Sequence, residues 1–268
     1  MRLLVVSNIV PNTVLGGYEH ATADLVRRAQ NRGWEVEVLT STWPATTTDE
    51  PIAARRILRW NFSAEHPHPS SFEENSPVVS GNAAAVQDTL DEFRPDRVLL
   101  MNLYGLGLVS ILAPILNSGI PMTAYLMDNW PQARPSEALV GFDWMLSALL
   151  EYSGIQWVAC SSTLAREVEM LSGGAVVSTE IVPAWTNVLP VVSSPRQNPR
   201  NFAFVSSLSK QKGAEAMLSA FVTMFKADPD LRLTFFGDGP IRKELEEQAR
   251  TLPDGAIEFT GWVSREDV

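Results

Sequence analysis

The residues best placed to do chemistry are two lysines and a set of glycine turns. Ser206-Ser207-Leu208-Ser209-Lys210-Gln211-Lys212-Gly213 leaves an apolar strand and enters a helix, with lysines able to neutralise a diphosphate. Gly237-Asp238-Gly239-Pro240 makes a tight turn after the next strand, and Gly261-Trp262-Val263 follows the strand after that. Three such loops on one edge of one sheet define a ligand rim. Near the N-terminus, Pro11-Asn12-Thr13-Val14-Leu15-Gly16-Gly17 joins a first strand to a first helix. There, backbone N–H groups and the helix dipole suit a phosphate or polar ligand, and paired glycines let the backbone approach closely. Each loop, taken alone, is also an ordinary turn.

Met127-Asp128-Asn129-Trp130-Pro131 follows another apolar strand, so Asp128 stands at a strand's carboxyl end, where open α/β sheets bind ligands. The same carboxylate equally suits an Asx turn or helix cap before Pro131. His20, one turn into the first helix, is close enough to the glycine loop for proton transfer but fits a partly exposed structural role better. His66 and His68 lie in a proline-rich stretch with no carboxylate pattern for a metal. Cys160 ends the apolar run Gln156-Trp157-Val158-Ala159 and is expected to be structural; as the single cysteine it permits no intrachain disulfide and no cysteine-cage zinc site.

These residues need elements to hold them. Leu3 to Ser7 is a continuous apolar run, as in a strand buried on both faces of a parallel sheet. Tyr18, Ala21, Leu25 and Ala29 recur at helical spacing, with Arg27, Arg28 and Arg32 near the end and Gly33 suited to the cap. Trp34 to Val38 then alternates at strand period. Further strands are expected at 97–101, 122–127, 156–160 and 179–182, with a helix over 82–93. Residues 44–80, rich in Pro, Ser, Thr and Glu, predict an irregular excursion with an edge strand near 55–60. The fold class is α/β, a doubly wound parallel sheet. Residues 190–201 (PVVSSPRQNPRN) read as a linker between 1–189 and a second α/β pattern over 202–268, with strands at 202–205, 231–236 and 257–259 and helices at 214–225 and 240–250.

Composition narrows the function classes. The chain of 268 residues carries 21 Lys and Arg against 31 Asp and Glu, a formal net charge of -10, which argues against a general nucleic-acid binder. Hydrophobic residues at 45% and charged residues at 19% describe a globular protein, so disorder is not expected. The N-terminal apolar run is too short for a signal peptide or spanning helix. A cytoplasmic protein, working beside a membrane at most, is the expectation. The absence of G-x-G-x-x-G and of G-K-[ST] disfavours a dinucleotide dehydrogenase and a P-loop enzyme.

Together the segments resemble glycosyltransferase family 4, whose two Rossmann-like domains form the GT-B fold and face each other across a nucleotide-sugar cleft. The Gly16-Gly17 loop and Arg32-Gly33-Trp34-Glu35-Val36 are similar to the family's glycine loop and R-G-H-E-V segment. Leu208 to Gly213, Gly237 to Pro240 and Phe259 to Val263 are similar to its L-x-x-x-K-G, G-x-G-P and F-x-G-x-V run. The resemblance implies a retaining hexosyl-type transferase whose nucleotide-sugar donor is a substrate, with no metal or other cofactor required. It makes 1–189 the acceptor side and 202–268 the donor-binding side. The implied acceptor is a glycan, a lipid-linked molecule or a small molecule, and peripheral membrane association would suit the second. By the resemblance Lys212 pairs with the donor diphosphate, Gly16 and Gly17 lie over phosphates and sugar, and backbone near Val263 meets the base. Ser207, Gly237, Asp238 and Gly239 complete the donor site, and Asp128 joins Lys212 in catalysis. Ser207 stands where the family carries arginine, and Met127 where it carries histidine. The family's E-x7-E carboxylate motif falls beyond Val268, which implies a second domain incomplete in this chain. A non-catalytic nucleotide-sugar or glycan-binding protein, an inactive remnant and a sugar-nucleotide epimerase remain as alternatives.

Overall fold

A computed structural model describes residues 1–10, 17–42, 52–60, 72–132, 154–185 and 200–263, of which 72–80 are described by backbone alone. The chain divides into two compact units, Met1–Leu189 and Pro190–Val268. The first holds strands β1 (Arg2–Val6), β2 (Glu35–Ser41), β3 (Arg55–Leu58), β4 (Arg97–Leu100), β5 (Met122–Leu126), β6 (Gln156–Ala159) and β7 (Ser178–Ile181). They form one parallel sheet in the order β3-β2-β1-β4-β5-β6-β7. The apolar run of β1 explains its central place. Leu4, Val5 and Val6 are completely buried, which only a strand covered on both faces allows, and each contributes roughly 1.5–3 kcal/mol of burial.

Among the described residues, the helices between these strands are α1 (Gly17–Asn31), α2 (Phe72–Phe93), α3 (Leu108–Ser118) and α4 (Ser162–Leu171). Helix α1 turns Tyr18, Ala21, Val26 and Ala29 into the core, and α4 starts where the Ser161 hydroxyl accepts the Leu164 N–H at 3.1 Å. Strand β3 lies at the sheet edge, as its position in the sequence suggests. Helix α2 departs from expectation, starting at Phe72 rather than near Asn82 and so entering the stretch read as irregular. Apolar periodicity is lacking over 72–80, whereas Glu73 and Glu74 favour a helix N-terminus through its dipole.

The strand order reverses between β1 and β4, the switch point where parallel sheets open a crevice at their carboxyl edge. Buried Asn8 ties this point together. Its N–H donates to the Asn102 carbonyl at 2.6 Å and its Nδ2 to the Tyr104 carbonyl at 3.1 Å, while its own carbonyl accepts from Ser41 N at 3.2 Å and Thr40 Oγ1 at 3.1 Å. Asn82 does the same between α2 and two loops. Its Oδ1 accepts Arg59 N–H at 2.7 Å, and its Nδ2 donates to the carbonyls of Arg59 at 2.9 Å and Leu106 at 2.8 Å.

The second unit is a parallel three-stranded sheet in the order β10-β9-β8, from β8 (Asn201–Val205), β9 (Arg232–Phe236) and β10 (Ile257–Gly261). Helices α5 (Ala214–Ala227) and α6 (Arg242–Ala249) connect them, around a core of Leu208, Leu218, Phe221, Leu233, Phe235 and Leu245. Helix α6 begins two residues later than expected, because Gly239 to Ile241 complete a turn first, with Arg242 N–H donating to the Gly239 carbonyl at 3.2 Å. Two glycines are required by close backbone approach. A Cβ on Gly237 would run into the Ser206 carbonyl oxygen, and one on Gly239 would meet the Leu208 carbonyl and stand 2.7 Å from the Leu208 nitrogen.

Replacing Asn82, itself fully buried, by alanine removes the partner of three backbone groups, of which the Leu106 carbonyl is buried, and should lower stability by about 1–3 kcal/mol in urea unfolding, whereas Gln87→Ala on the exposed side of α2 should stay within about 0.5 kcal/mol. Gly239→Ala should cost about 1–3 kcal/mol through the backbone clash. The contrasting Gly81→Ala, where a Cβ meets the Arg59 side chain no closer than 3.5 Å, should gain about 0.5–1 kcal/mol in the same assay.

Candidate functional site

At the carboxyl edge of the first unit, the start of α1 lies against the end of β5. A Cβ on Gly17 would stand 3.3 Å from the Met127 methyl. The next residue, Tyr18, is 7% exposed, and its phenol oxygen accepts the backbone N–H of Met127 at 2.5 Å and of Asp128 at 3.2 Å. The hydroxyl in turn donates to Asp128 Oδ1 at 3.5 Å, and that oxygen also accepts Trp130 N–H at 3.0 Å. Asp128 is therefore a turn-forming carboxylate and, being exposed, also available to a ligand. Although the residue is exposed, the protein around its carboxyl group removes part of its water and raises its pKa above the ordinary carboxylate value, against the opposing pull of the Trp130 amide and the Tyr18 hydroxyl. Burial, and then the nearby Asp128 charge, pushes the Tyr18 phenol far above its usual range, so it acts as a neutral donor. Tyr125 in β5, whose hydroxyl donates to the Val182 carbonyl at 2.9 Å, is pushed up to about 12 by burial.

Sequence reasoning placed Tyr18 only on the apolar face of α1. The signal it left unused was a hydroxyl-bearing aromatic immediately after Gly16-Gly17. His20 is exposed on α1. Cys160 continues β6, its N–H donating to the Leu126 carbonyl at 2.8 Å, and it packs against the core. Gly16, His66 and His68 lie outside the described residues, as does most of the expected linker over 190–201.

The second unit gathers its three loops as parallel strands require. Leu208 N–H donates to the Asp238 carbonyl at 2.9 Å and Gly237 N–H to the Gly261 carbonyl at 2.8 Å, so the ends of β8, β9 and β10 share one rim. Lys210 to Lys212 form a single 3-10 turn closed by Gly213, whose φ of 78° lies in the left-handed region and redirects the chain into α5. Lys212 is exposed at the head of that helix and has no ion-pair partner among the described residues, while Lys210 lies 3.8 Å from Glu215. Ser207 is half-buried, and its carbonyl accepts the Ser209 N–H at 2.9 Å. Val263, also half-buried, is the last described residue.

Arg242 holds this rim together. Its guanidinium meets Asp238 Oδ2 at 3.1 Å, Glu246 Oε1 at 2.7 Å and the Phe259 carbonyl at 3.3 Å. Glu246 first, and Asp238 second, hold its pKa above the usual guanidinium value. Asp238 Oδ1 accepts Gly239 N–H at 2.7 Å, so both its oxygens serve the turn itself. The four-residue spacing of Asp238, Arg242 and Glu246 was the available signal for this staple. Lys212, with no ion-pair partner among the described residues, thus stands just before the N-terminus of α5, a combination that suits an anion. Among the described residues no group of three or more His, Cys, Asp or Glu could hold a metal, and no helix is long and apolar enough to cross a membrane.

Known proteins bear on this geometry. Residues 16–185 match the family model described as "Glycosyl transferase 4-like domain", and residues 199–268 match "Glycosyl transferases group 1". A GDP-mannose-dependent alpha-(1-6)-phosphatidylinositol dimannoside mannosyltransferase of Mycobacterium tuberculosis is 26% identical over 282 aligned positions, covering 98% of this chain and 68% of the relative. Among solved structures, the lipopolysaccharide outer core galactosyltransferase WaaB is similar with a TM-score of 0.62 and 15% identity, over 99% of this chain and 69% of that one. Sucrose-phosphate synthase of Thermosynechococcus elongatus is similar with a TM-score of 0.67 and 16% identity, over 99% and 71%. These structures share the GT-B fold with this chain. Because the first of the two family models spans more than half of the residues, this chain belongs to the glycosyl transferase 4-like family and is a glycosyltransferase that takes its sugar from a nucleotide-sugar donor.

Proposed function

We propose that the chain moves a hexose from a nucleoside-diphosphate sugar onto a hydroxyl of a glycan or lipid-linked acceptor, with retention at the anomeric carbon. The observation that carries this reading is Lys212, an ammonium with no ion-pair partner among the described residues, at the head of α5 on a rim of glycine turns. In the transfer, the bond from the anomeric carbon to the diphosphate oxygen breaks and its electron pair leaves with the diphosphate. The acceptor oxygen bonds to that carbon and passes its proton to the departing diphosphate oxygen. Charge grows on the leaving phosphate, so the Lys212 ammonium and the N–H groups of the first turn of α5 stabilise the transition state more than the ground state. Ser207, Gly237, Asp238, Gly239 and Val263 would line the donor side, with the glycines allowing close approach and the Asp238–Arg242 staple keeping the turn rigid. Gly16, Gly17 and Asp128 would serve the sugar and the acceptor. No metal enters this scheme.

The mycobacterial relative makes GDP-mannose the first donor to try. A lipid-linked acceptor would bring the protein to the cytoplasmic face of a membrane as a peripheral visitor. Incubation with GDP-mannose and with UDP-hexoses, plus a glycan acceptor, should release nucleoside diphosphate. Retention is read from the anomeric coupling in the product NMR spectrum, an α-linked donor giving an α-linked product. Lys212→Ala should lower kcat/KM for the donor by about a hundredfold, matching the loss of a charged hydrogen bond, with an unchanged circular dichroism spectrum because the side chain is exposed. Near wild-type turnover in that variant would remove Lys212 from the mechanism.

A further inference from the structure

We propose that Tyr18 is a positioning residue for Asp128, and that Asp128 Oδ2 is the atom that accepts a hydrogen bond from a substrate hydroxyl. The inference rests on the reading of the first unit's carboxyl edge as part of the transfer site. The argument is hydrogen-bond arithmetic. A phenol has one proton and two lone pairs. Both lone pairs of Tyr18 are used by the N–H groups of Met127 and Asp128, and its proton goes to Asp128 Oδ1. These are the amides just past the end of β5, where the ladder gives out after the Cys160 N–H reaches the Leu126 carbonyl. A side chain from α1, about 110 residues earlier, replaces the missing strand partner and fixes the turn.

That arrangement splits the two carboxylate oxygens of Asp128. Oδ1 is committed, to the Tyr18 hydroxyl and the Trp130 N–H. Oδ2 has no hydrogen-bond partner among the described residues, on a side chain that stays exposed. An acceptor-only oxygen repels phosphate and pairs with O–H, so the ligand class it selects is a sugar or acceptor hydroxyl. Gly17 keeps the approach narrow, since a Cβ there would already touch Met127. The titratable groups nearby are Tyr18 and Glu19 on α1, Cys160 at the end of β6, whose charge would act on Tyr18, and Glu167 on α4, held 3.5 Å from Asn129 Nδ2.

The test compares Tyr18→Phe and Asp128→Asn with the wild-type chain, measuring kcat and KM for donor and acceptor from about pH 5 to 9. The Tyr18 hydrogen bond lowers the Asp128 pKa, so removing it should move the acidic limb of the profile upward. At pH values below the shifted limb kcat should fall about tenfold, with donor KM unchanged, and raising the pH should restore part of the loss. The 13Cγ titration of Asp128 reads the same upward shift without any turnover. In the wild-type chain, a simple hexoside should displace the Asp128 13Cγ signal and inorganic phosphate should not. A loss in Tyr18→Phe that is independent of pH, or an unmoved 13Cγ midpoint, overturns the positioning role, as does phosphate displacing the signal in place of the hexoside for Oδ2. Wild-type rates in Asp128→Asn overturn the prior reading of Asp128 itself, which separates the two failures.

Discussion

All strands described in either sheet run parallel to their neighbours, and this governs what the loops can do. A parallel pair cannot be closed by a tight hairpin, so the chain must cross a sheet face between strands, and helices make those crossings. Loops that leave strands then collect on one edge and helix N-termini start from the same edge. Residues far apart in sequence, such as Ser207, Asp238 and Gly261, come to lie on one rim because each follows the carboxyl end of its strand. The same rule brings Asn8, Asn102 and Asp128 to one edge of the larger sheet.

Such an edge carries many backbone groups that the ladders no longer satisfy, and each would be costly to bury unpaired. In this protein side chains take over. Asn8 serves the ends of β1, β2 and β4, Asn82 serves the loop after β3 and the loop after β4, and Tyr18 serves the end of β5. Each contact is a polar group reaching across a long sequence separation at a buried or part-buried place, where hydrogen bonds are stronger and unpaired groups costlier than at an open surface. The consequence for function is rigidity. The carboxylate of Asp128 is an instance, since the phenol and the Trp130 amide both hold its Oδ1.

The smaller unit meets the same demand with backbone contact and charge. Gly237 and Gly239 bring the turn after β9 against the segment after β8 so closely that no side chain fits, and Arg242 pins that turn to β10 through the Phe259 carbonyl. The acidic partners of Arg242 neutralise it within the rim, whereas Lys212 has no such partner among the described residues. The contrast separates a cation spent on holding the turn from one that the described residues leave without a partner.

Much of this was legible in the chain itself. The buried run Leu4 to Val6, the period of α1, the alternation of strands and helices, and the glycine turns at 237–239 and 261 specify the α/β class and mark which loops end strands, because burial and turn geometry act on neighbouring residues. Helix α2 was legible only in part, since its first turns have no apolar period to betray them. The partners of Asn8, Asn82, Tyr18 and Arg242 were decided by the tertiary structure. A hydrogen bond spanning 96 or 110 residues depends on strand order and on where a helix crosses the sheet, and no local pattern encodes either. The residue types that could do chemistry were thus set by sequence alone, whereas packing decided which oxygen of Asp128 forms the turn, because it brought a phenol to Oδ1 and left Oδ2 without a hydrogen-bond partner among the described residues.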